Sequence, residues 1–252
     1  MITVSTIIVS RDLHMMLQHC LLALQHASRV ITEETHLEVL LVDNASRKPY
    51  LAEDFAARQS FQSFHIIRFD RHHSFAASNN EAAKRCSGDY LFLLNNDVLL
   101  HEHALACGLR LMEKEGNVGI CGSRLLFPDG TIQHCGTVFG PRNQGPFHEH
   151  RSVQADLVPR INRERQAVTG ACMLIARKLW NELSGFDESY PFGLEDVDFC
   201  LRARQKGWRI FCCNEVDSLH FESMTPGRAK LDKPSRKLFM RRWKGRYEID
   251  AP

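Results

Sequence analysis

The first half of the chain alternates apolar, β-branched runs with stretches whose apolar residues recur at helical spacing, and this alternation narrows the fold more than any other feature. Residues 3–10 are β-branched and apolar and predict a buried strand. Asp12 is placed to cap a following helix with apolar positions Leu13, Met16, Leu17, Leu21 and Leu24. Residues 37–42 form a second apolar run, closed by Asp43-Asn44-Ala45-Ser46. A helix around Phe55, a strand over 64–69, a small-residue helix over 76–86, a strand over 89–94 and a helix over 102–114 continue the pattern. The expectation is an α/β fold with a mostly parallel sheet covered by helices on both faces. Ligands of such sheets bind beyond the carboxyl ends of the strands. Asp43 and Asp97 both stand at strand ends and so can face one crevice.

The second half has another rhythm. Short strands are predicted over 118–121, 124–127 and 132–138, with a turn at Phe127-Pro128-Asp129-Gly130-Thr131, where Pro presets φ and Gly permits a positive one. Residues 139–165 are polar and rich in Gly, Pro, His and Arg, which predicts a long mobile loop. An apolar run over 169–176 precedes a helix over 178–183 and the turn Ser184-Gly185-Phe186-Asp187. An acidic helix over 196–205 stops at Gly207, and short strands over 209–213 and 218–221 close the fold. No internal repeat occurs, and no linker precedes about residue 224.

At 252 residues the chain can bury a full core as one large domain or two small ones. A net charge of +2 leaves any anionic ligand to be held by local groups. No apolar run approaches the ~20 residues needed to span a bilayer, and the first ten residues predict a strand in place of a signal peptide. The 9 cysteines are scattered without a Cys-x-x-Cys pair and predict reduced core thiols of a cytosolic protein, not a zinc site.

Gly193-Leu194-Glu195-Asp196-Val197-Asp198-Phe199-Cys200-Leu201 places three carboxylates at a helix start. Alone this is ordinary charge–dipole capping. A second cluster, Leu94-Asn95-Asn96-Asp97-Val98, closes an apolar strand far upstream. Together they point to one metal-assisted centre, with one cluster holding a cation and the other handling a proton. No Gly-x-Gly-x-x-Gly or P-loop pattern occurs, which argues against a dinucleotide oxidoreductase or an ATPase on the same sheet.

The ordered series Val42-Asp43-Asn44-Ala45-Ser46, Phe75-Ala76-Ala77-Ser78-Asn79-Asn80 and Leu93-Leu94-Asn95-Asn96-Asp97 resembles family 2 glycosyltransferases of the GT-A fold. The resemblance continues through Gly122-Ser123-Arg124-Leu125-Leu126-Phe127-Pro128-Asp129-Gly130-Thr131-Ile132-Gln133-His134, Thr169-Gly170-Ala171-Cys172-Met173-Leu174-Ile175, Gly185-Phe186-Asp187-Glu188, Glu195-Asp196-Val197-Asp198 and His220-Phe221-Glu222-Ser223. The Pro-Asp-Gly-Thr-Ile-Gln stretch and the His-x-Glu-Ser ending look most like the rhamnosyltransferase-type branch, which builds bacterial surface polysaccharides.

The resemblance implies a Rossmann-like sheet for residues 1–115, binding a nucleotide-diphosphate sugar of the UDP or dTDP type. A smaller mixed sheet on the acceptor side would serve a glycan or lipid-linked acceptor in residues 116–223. It implies Mn²⁺ or Mg²⁺, held by Asp97, Asn95 and His220. It makes Asp196 the catalytic base, with Glu195 its nearest rival. It assigns Ser10, Arg11, Asp43, Asn79 and Asn96 to the nucleotide, and Thr169, Gly170 and Trp208 to the acceptor. In two places the chain departs from the family pattern: Asn95 replaces the first Asp of Asp-x-Asp, which weakens cation binding, and Ser74, beside His72 and His73, replaces the glycine before Phe75. A nucleotidyltransferase is the nearest other enzyme, but Ser10-Arg11-Asp12-Leu13-His14 supplies no glycine-rich, lysine-bearing loop. A non-catalytic nucleotide-sugar-binding module is the alternative of another class.

Residues 224–252 form a basic tail: Arg228, Lys230, Lys233, Arg236, Lys237, Arg241, Arg242, Lys244 and Arg246 stand against Asp232 alone up to residue 246. Phe239, Trp243 and Tyr247 recur at i,i+4 and would line one helix face. A basic helix with an aromatic face suits an anionic membrane surface and predicts a cytoplasmic protein peripheral to the inner membrane face. A solvated tail fits equally, and a nucleic-acid partner is not expected.

Overall fold

The computed structural model describes residues 1–32, 34–141, 144–222 and 229–251, with backbone alone for 229–232. Ser223 and Arg228, and the side chains of Lys230 and Asp232, therefore lie outside the described residues. In chain order the elements are β1 (Ile2–Ser10), α1 (His14–Ser28), β2 (Thr35–Asp43), β3 (Ser63–Arg68), α2 (Phe75–Ala83), β4 (Tyr90–Leu94), β5 (Val98–Leu99), α3 (Ala104–Lys114) and β6 (Val118–Leu126). They continue with β7 (Ile132–His134), β8 (Thr137–Gly140), β9 (Gly145–His148), β10 (Arg163–Glu164), β11 (Cys172–Ala176), α4 (Arg177–Leu183), α5 (Glu195–Gln205), β12 (Arg209–His220) and α6 (Ala229–Trp243).

One sheet runs in the order β10-β12-β6-β11-β4-β1-β2-β3, with β5 on β12 and β7 on β6. β1 pairs in parallel with both β2 and β4, and β3 in parallel with β2. The mixed half is continuous with this parallel half, because β11 runs antiparallel to both β4 and β6. β8 and β9 form a separate two-stranded sheet. Alternate residues of each strand point to opposite faces. Val4, Ile8, Val39, Leu41, Phe92 and Leu94 meet α1 and α3 through Leu17, Leu21, Leu24 and Leu105. Ile7, Leu40, Val42, Leu91 and Leu93 belong to the opposite core, filled by Trp180, Phe199, Phe239 and Trp243.

Several local expectations are corrected. Asp12 does not cap α1: Leu13 is the N-cap and makes no side-chain bond, while Asp12 sits at φ 59° and accepts the Arg47 N–H at 2.7 Å. Near Phe55 the chain forms 3-10 turns, Ala52–Asp54 and Ala56–Ser60, instead of an α-helix. The strands expected at 118–121 and 124–127 are one strand, β6. Its interior Gly122 lies where an added Cβ would come within 2.6 Å of Val168, so the break in apolarity marks close packing and not a turn. Likewise 209–213 and 218–221 are one strand, β12, bulged between Cys213 and Ser218. The stretch expected over 132–138 breaks into β7 and β8 at Gly136, which has φ +126°.

In place of the long loop expected over 139–165, the described residues carry β9, a 3-10 turn at Ala155–Leu157 and β10, which pairs with β12. The cause is remote in sequence. The fully buried Arg124 guanidinium donates to the carbonyls of Val158 (2.9 Å) and Ala155 (2.6 Å) and pairs with Asp217 at 2.7 Å.

The C-terminal helix also differs from expectation. Phe239 and Trp243 are 1% and 5% exposed and pack into the domain. Trp243 donates from Nε1 to Asp198 at 2.8 Å, Ser235 accepts the Phe192 N–H at 3.2 Å, and Tyr247 stacks 4.6 Å from Phe139. The aromatic stripe is therefore spent on the protein's own core and is not offered to a membrane. Lys233, Arg236, Lys237, Arg241, Lys244 and Arg246 remain exposed.

Candidate active site

Strand register gathers the polar residues at one edge of the sheet. Ser10 pairs with Asp43 and Asp43 with Arg68, so β1, β2 and β3 end together. Cys172 lies opposite Leu94, so the residues before β11 enter where β4 ends. His220 pairs with Val98, which brings the end of β12 to the turn after β4.

The Asn95-Asn96-Asp97 turn holds the centre of this edge. The Asn95 N–H donates to the Ala171 carbonyl at 2.8 Å, and the Phe221 N–H to the Asp97 carbonyl at 3.1 Å. Asp97 Oδ1 and His220 Nε2 are 3.1 Å apart, and Asn95 Nδ2 is 3.5 Å from the same nitrogen. Asp97 and His220 are each 6% exposed. Gln133 fixes the ring: its amide nitrogen donates to the His220 carbonyl at 3.1 Å and its Oε1 lies 2.5 Å from Nδ1. With the amide oriented by that carbonyl, Oε1 must accept, so Nδ1 carries the proton and Nε2 is the atom aimed at Asp97.

One carboxylate, one imidazole nitrogen and an Asn amide on one rim fit a divalent cation that keeps its other positions for water and phosphate oxygens. Among the described residues no group of three or more His, Cys, Asp or Glu side chains could hold a metal.

On the other side, Asn96 Nδ2 donates to Ser10 Oγ at 2.9 Å, and Ser10 Oγ lies 2.9 Å from the Tyr50 hydroxyl. Asp43 is fully buried. Its carboxylate accepts the N–H groups of Ser46 (2.9 Å) and Tyr50 (3.3 Å) and pairs with Arg68. It thus braces the loop after β2 and presents no open edge to a base; the 40% exposed Arg68 is the group it offers outward. Asn79 is also turned inward, 1% exposed and donating to the Phe75 carbonyl at 2.9 Å in its own helix. Arg11 is half exposed at the rim.

Asn44 clamps the loop before α2, donating to the His73 carbonyl at 3.0 Å and accepting the His73 N–H at 2.9 Å. Ser74, standing where the family pattern has glycine, caps α2 by accepting the Ala77 N–H at 3.2 Å. Burial, then the charges of Arg11 and His73, shift His72 downward from the ordinary histidine value.

The acidic helix separates its three carboxylates. Asp198 is 1% exposed and bound by Tyr190 (3.0 Å), Arg202 (2.8 Å) and Trp243 (2.8 Å), which gives it a structural task. Glu195 is 5% exposed. Asp196 is the more open of the adjacent pair and accepts the Gly170 N–H on Oδ2 at 2.8 Å. Leu194 before it is left-handed at φ 71° and starts α5, whose second residue is Asp196. Gly170 fits between Asp196 and Phe75: an added Cβ would lie 3.3 Å from each side chain.

Trp208 is not part of this edge. It follows α5, whose 11 residues span about 16 Å, and the next residue, Arg209, pairs with Val118 at the opposite end of β6. Its indole donates to Glu182 at 3.0 Å. Sequence reasoning gave no role to Asn44, Tyr50, Arg68, Gln133 or His134. Gln133 and His134 stood within the Pro-Asp-Gly-Thr-Ile-Gln-His stretch, so their place was marked though their task was not.

The curled mixed sheet with helices on both faces that carries this edge is the GT-A fold. The profile of glycosyl transferase family 2 matches residues 5–182, and the chain belongs to that family. It is 33% identical over 199 residues to the O-antigen biosynthesis protein RfbC of Myxococcus xanthus, covering 76% of this chain but 15% of that protein. A 61-residue stretch is 33% identical to the N-acetylglucosaminyl-diphospho-decaprenol L-rhamnosyltransferase of Mycobacterium tuberculosis, covering 24% of this chain and 20% of that one. The chain thus spans less than a quarter of the length of these relatives. The fold matches a mannosyltransferase from Pyrobaculum calidifontis solved with GDP-Man and Mn²⁺, at a TM-score of 0.63 and 15% identity, over 99% of this chain and 65% of that one.

Proposed function

We propose that the chain is an inverting, metal-dependent glycosyltransferase that moves a sugar from a UDP- or dTDP-type nucleotide sugar to a hydroxyl of a glycan or lipid-linked acceptor in bacterial surface polysaccharide synthesis. One observation carries this reading. Gly170 holds Asp196 by its N–H, and the neighbouring Ala171 holds the Asn95-Asn96-Asp97 turn by its carbonyl. Adjacent Cα atoms lie about 3.8 Å apart, so the candidate base and the candidate cation site are fastened to one dipeptide.

In this reading Asp97, His220 and Asn95 hold Mn²⁺ or Mg²⁺, and Ser10, Asn96 and the Arg11–Arg68 rim receive the nucleotide. A bound cation supplies Lewis acidity for the charge that develops on the leaving diphosphate. Asp196 takes the proton of the attacking hydroxyl, a contribution of ~10²–10⁴-fold, and attack from the face opposite the leaving group inverts the anomeric carbon. Asp43 and Asn79 act from behind the pocket. Residues 1–115 serve the donor and 116–223 the acceptor, while 224–252 carries a basic helix that meets the inner membrane face from the cytoplasm.

The test is nucleotide release from UDP-, dTDP- and GDP-sugars with and without Mn²⁺. Cation-dependent release is expected, and Asp196→Asn is expected to bind nucleoside diphosphate as the parent does while losing at least ~10²-fold in kcat. Retained turnover in that variant moves the base to Glu195. Binding without turnover, with acceptors supplied, makes the chain a nucleotide-sugar-binding module.

A further inference from the structure

Every N–H of the segment that holds Asp196 has a partner. Thr169 N–H donates to His134 Nε2 at 3.3 Å, Gly170 N–H to Asp196 Oδ2 at 2.8 Å, and Ala171 N–H to Thr169 Oγ1 at 3.3 Å. The first of these bonds reaches outside the segment to β7, thirty-five residues away in the chain. His134 is fully buried. Its other nitrogen, Nδ1, lies 2.7 Å from Nδ1 of His148, on β9, with the rings edge to face at 85°.

The two contacts settle the proton. Nε2 accepts from a backbone amide and so carries a lone pair; a neutral ring then has its proton on Nδ1 and donates it to His148. Burial first, then the charges of His148, His220 and Arg165, hold His134 well below the ordinary histidine range. The ring therefore stays an acceptor toward Thr169.

We propose that His134 is a positioning residue for the general base: by accepting the Thr169 N–H and leaning on His148, it fixes the peptide whose next N–H orients the Asp196 carboxylate. This rests on Asp196 acting as the base. Nothing else in the described structure bonds the Thr169 N–H, so loss of the imidazole frees that residue to rotate, and the Gly170 N–H turns with it. A base displaced by a fraction of an ångström loses alignment with its proton, while the Asn95-Asn96-Asp97 turn keeps its own backbone anchor on the Ala171 carbonyl.

The experiment compares His134→Leu, which removes the acceptor, with His134→Gln, whose amide oxygen can occupy the Nε2 position. With the best donor of the nucleotide-sugar panel and Mn²⁺, His134→Leu is expected to lower kcat about tenfold with donor KM and UDP affinity unchanged, and His134→Gln to recover most of it. In an Asp196→Asn background His134→Leu is expected to change kcat no further. Amide hydrogen exchange of the peptide covering 167–172 supplies a readout apart from turnover: Thr169 and Gly170 should exchange faster in His134→Leu and at the parental rate in His134→Gln. Parental kcat in a folded His134→Leu protein overturns the proposal, as does additivity with Asp196→Asn. If the parent turns over no sugar donor, the glycosyltransferase reading falls, and unchanged exchange at Thr169 and Gly170 in His134→Leu then overturns the positioning role by itself. Should His134→Leu not fold, a His134→Gln variant with impaired kcat and faster exchange has the same overturning force.

Discussion

At the scale of the residue, this site is governed by second partners. Asp97 and His220 were legible as candidate ligands because an acid after an apolar strand and a histidine after another are visible one-dimensionally. What makes the pair usable is Gln133, whose amide fixes which imidazole nitrogen faces Asp97. Such outer partners typically tune metal affinity by ~10–100-fold. We expect Gln133→Leu to weaken Mn²⁺ binding by at least ~10-fold in titrations followed by electron paramagnetic resonance, with the fold retained; parental affinity would show that the ring needs no such support. Asp43 teaches the converse. A strand-end carboxylate looks identical in sequence whether it faces ligand or protein, and here Ser46, Tyr50 and Arg68 consume it.

At the scale of the element, the joints between strands and helices carry charge that ties them together. Glu38, on β2, accepts from the Ser5 hydroxyl of β1, from Ser87 N–H (2.7 Å) and hydroxyl (3.0 Å), and from Gly88 N–H (3.3 Å) before β4. Burial pushes its carboxyl up, but the hydrogen bonds from Ser5, Ser87 and Gly88 outweigh it and hold it below the ordinary value. A folded-state value below the unfolded one, about 4.3, means the stabilisation is complete above that pH. It is lost as pH falls through the lower, folded value. Glu38→Gln should therefore melt below the parent at pH 7, with the gap closing as pH is lowered past about 4; a Tm difference constant across pH 3–7 would contradict this. The C-terminal helix belongs to the same scale: its Trp243 seats on Asp198, two residues from Asp196, so the helix braces the element that starts with the candidate base.

At the scale of the whole molecule, α6 and the residue after it present Lys233, Arg236, Lys237, Arg241 and Lys244 to solvent while the aromatic face of the helix is buried in the domain. Among the described residues no helix is long and apolar enough to cross a membrane. Any membrane contact through this helix is then electrostatic, worth about 1 kcal/mol per basic residue near an anionic surface and sensitive to salt. Deleting the helix would take Phe239 and Trp243 out of the core and strip Asp198 of its Trp243 bond, so charge reversal at Lys233, Lys237, Arg241 and Lys244 is the cleaner probe. We expect the reversed protein to lose co-sedimentation with vesicles containing phosphatidylglycerol at low salt and to keep its Tm; unchanged sedimentation would dismiss the contact.

The sequence determined the kind of element at most positions, because period-2 and period-3.6 patterns and turn residues act through neighbours a few residues away. It thereby determined the alternation of strand and helix, the acids at strand ends and the family likeness. It did not reveal that β6 and β12 each run unbroken, that Arg124 builds the 155–159 segment, or that the C-terminal aromatics are core residues; these depend on partners dozens of residues distant. Tertiary structure alone decided which polar groups share an edge. Strand register set Asp43 beside Arg68 and His220 beside Val98, and the antiparallel entry of β11 put Gly170 and Ala171 between Asp196 and the Asn95 turn. Trp208 was carried to the far edge by the same geometry, since a helix of 11 residues is a rigid spacer and its two ends cannot serve one site.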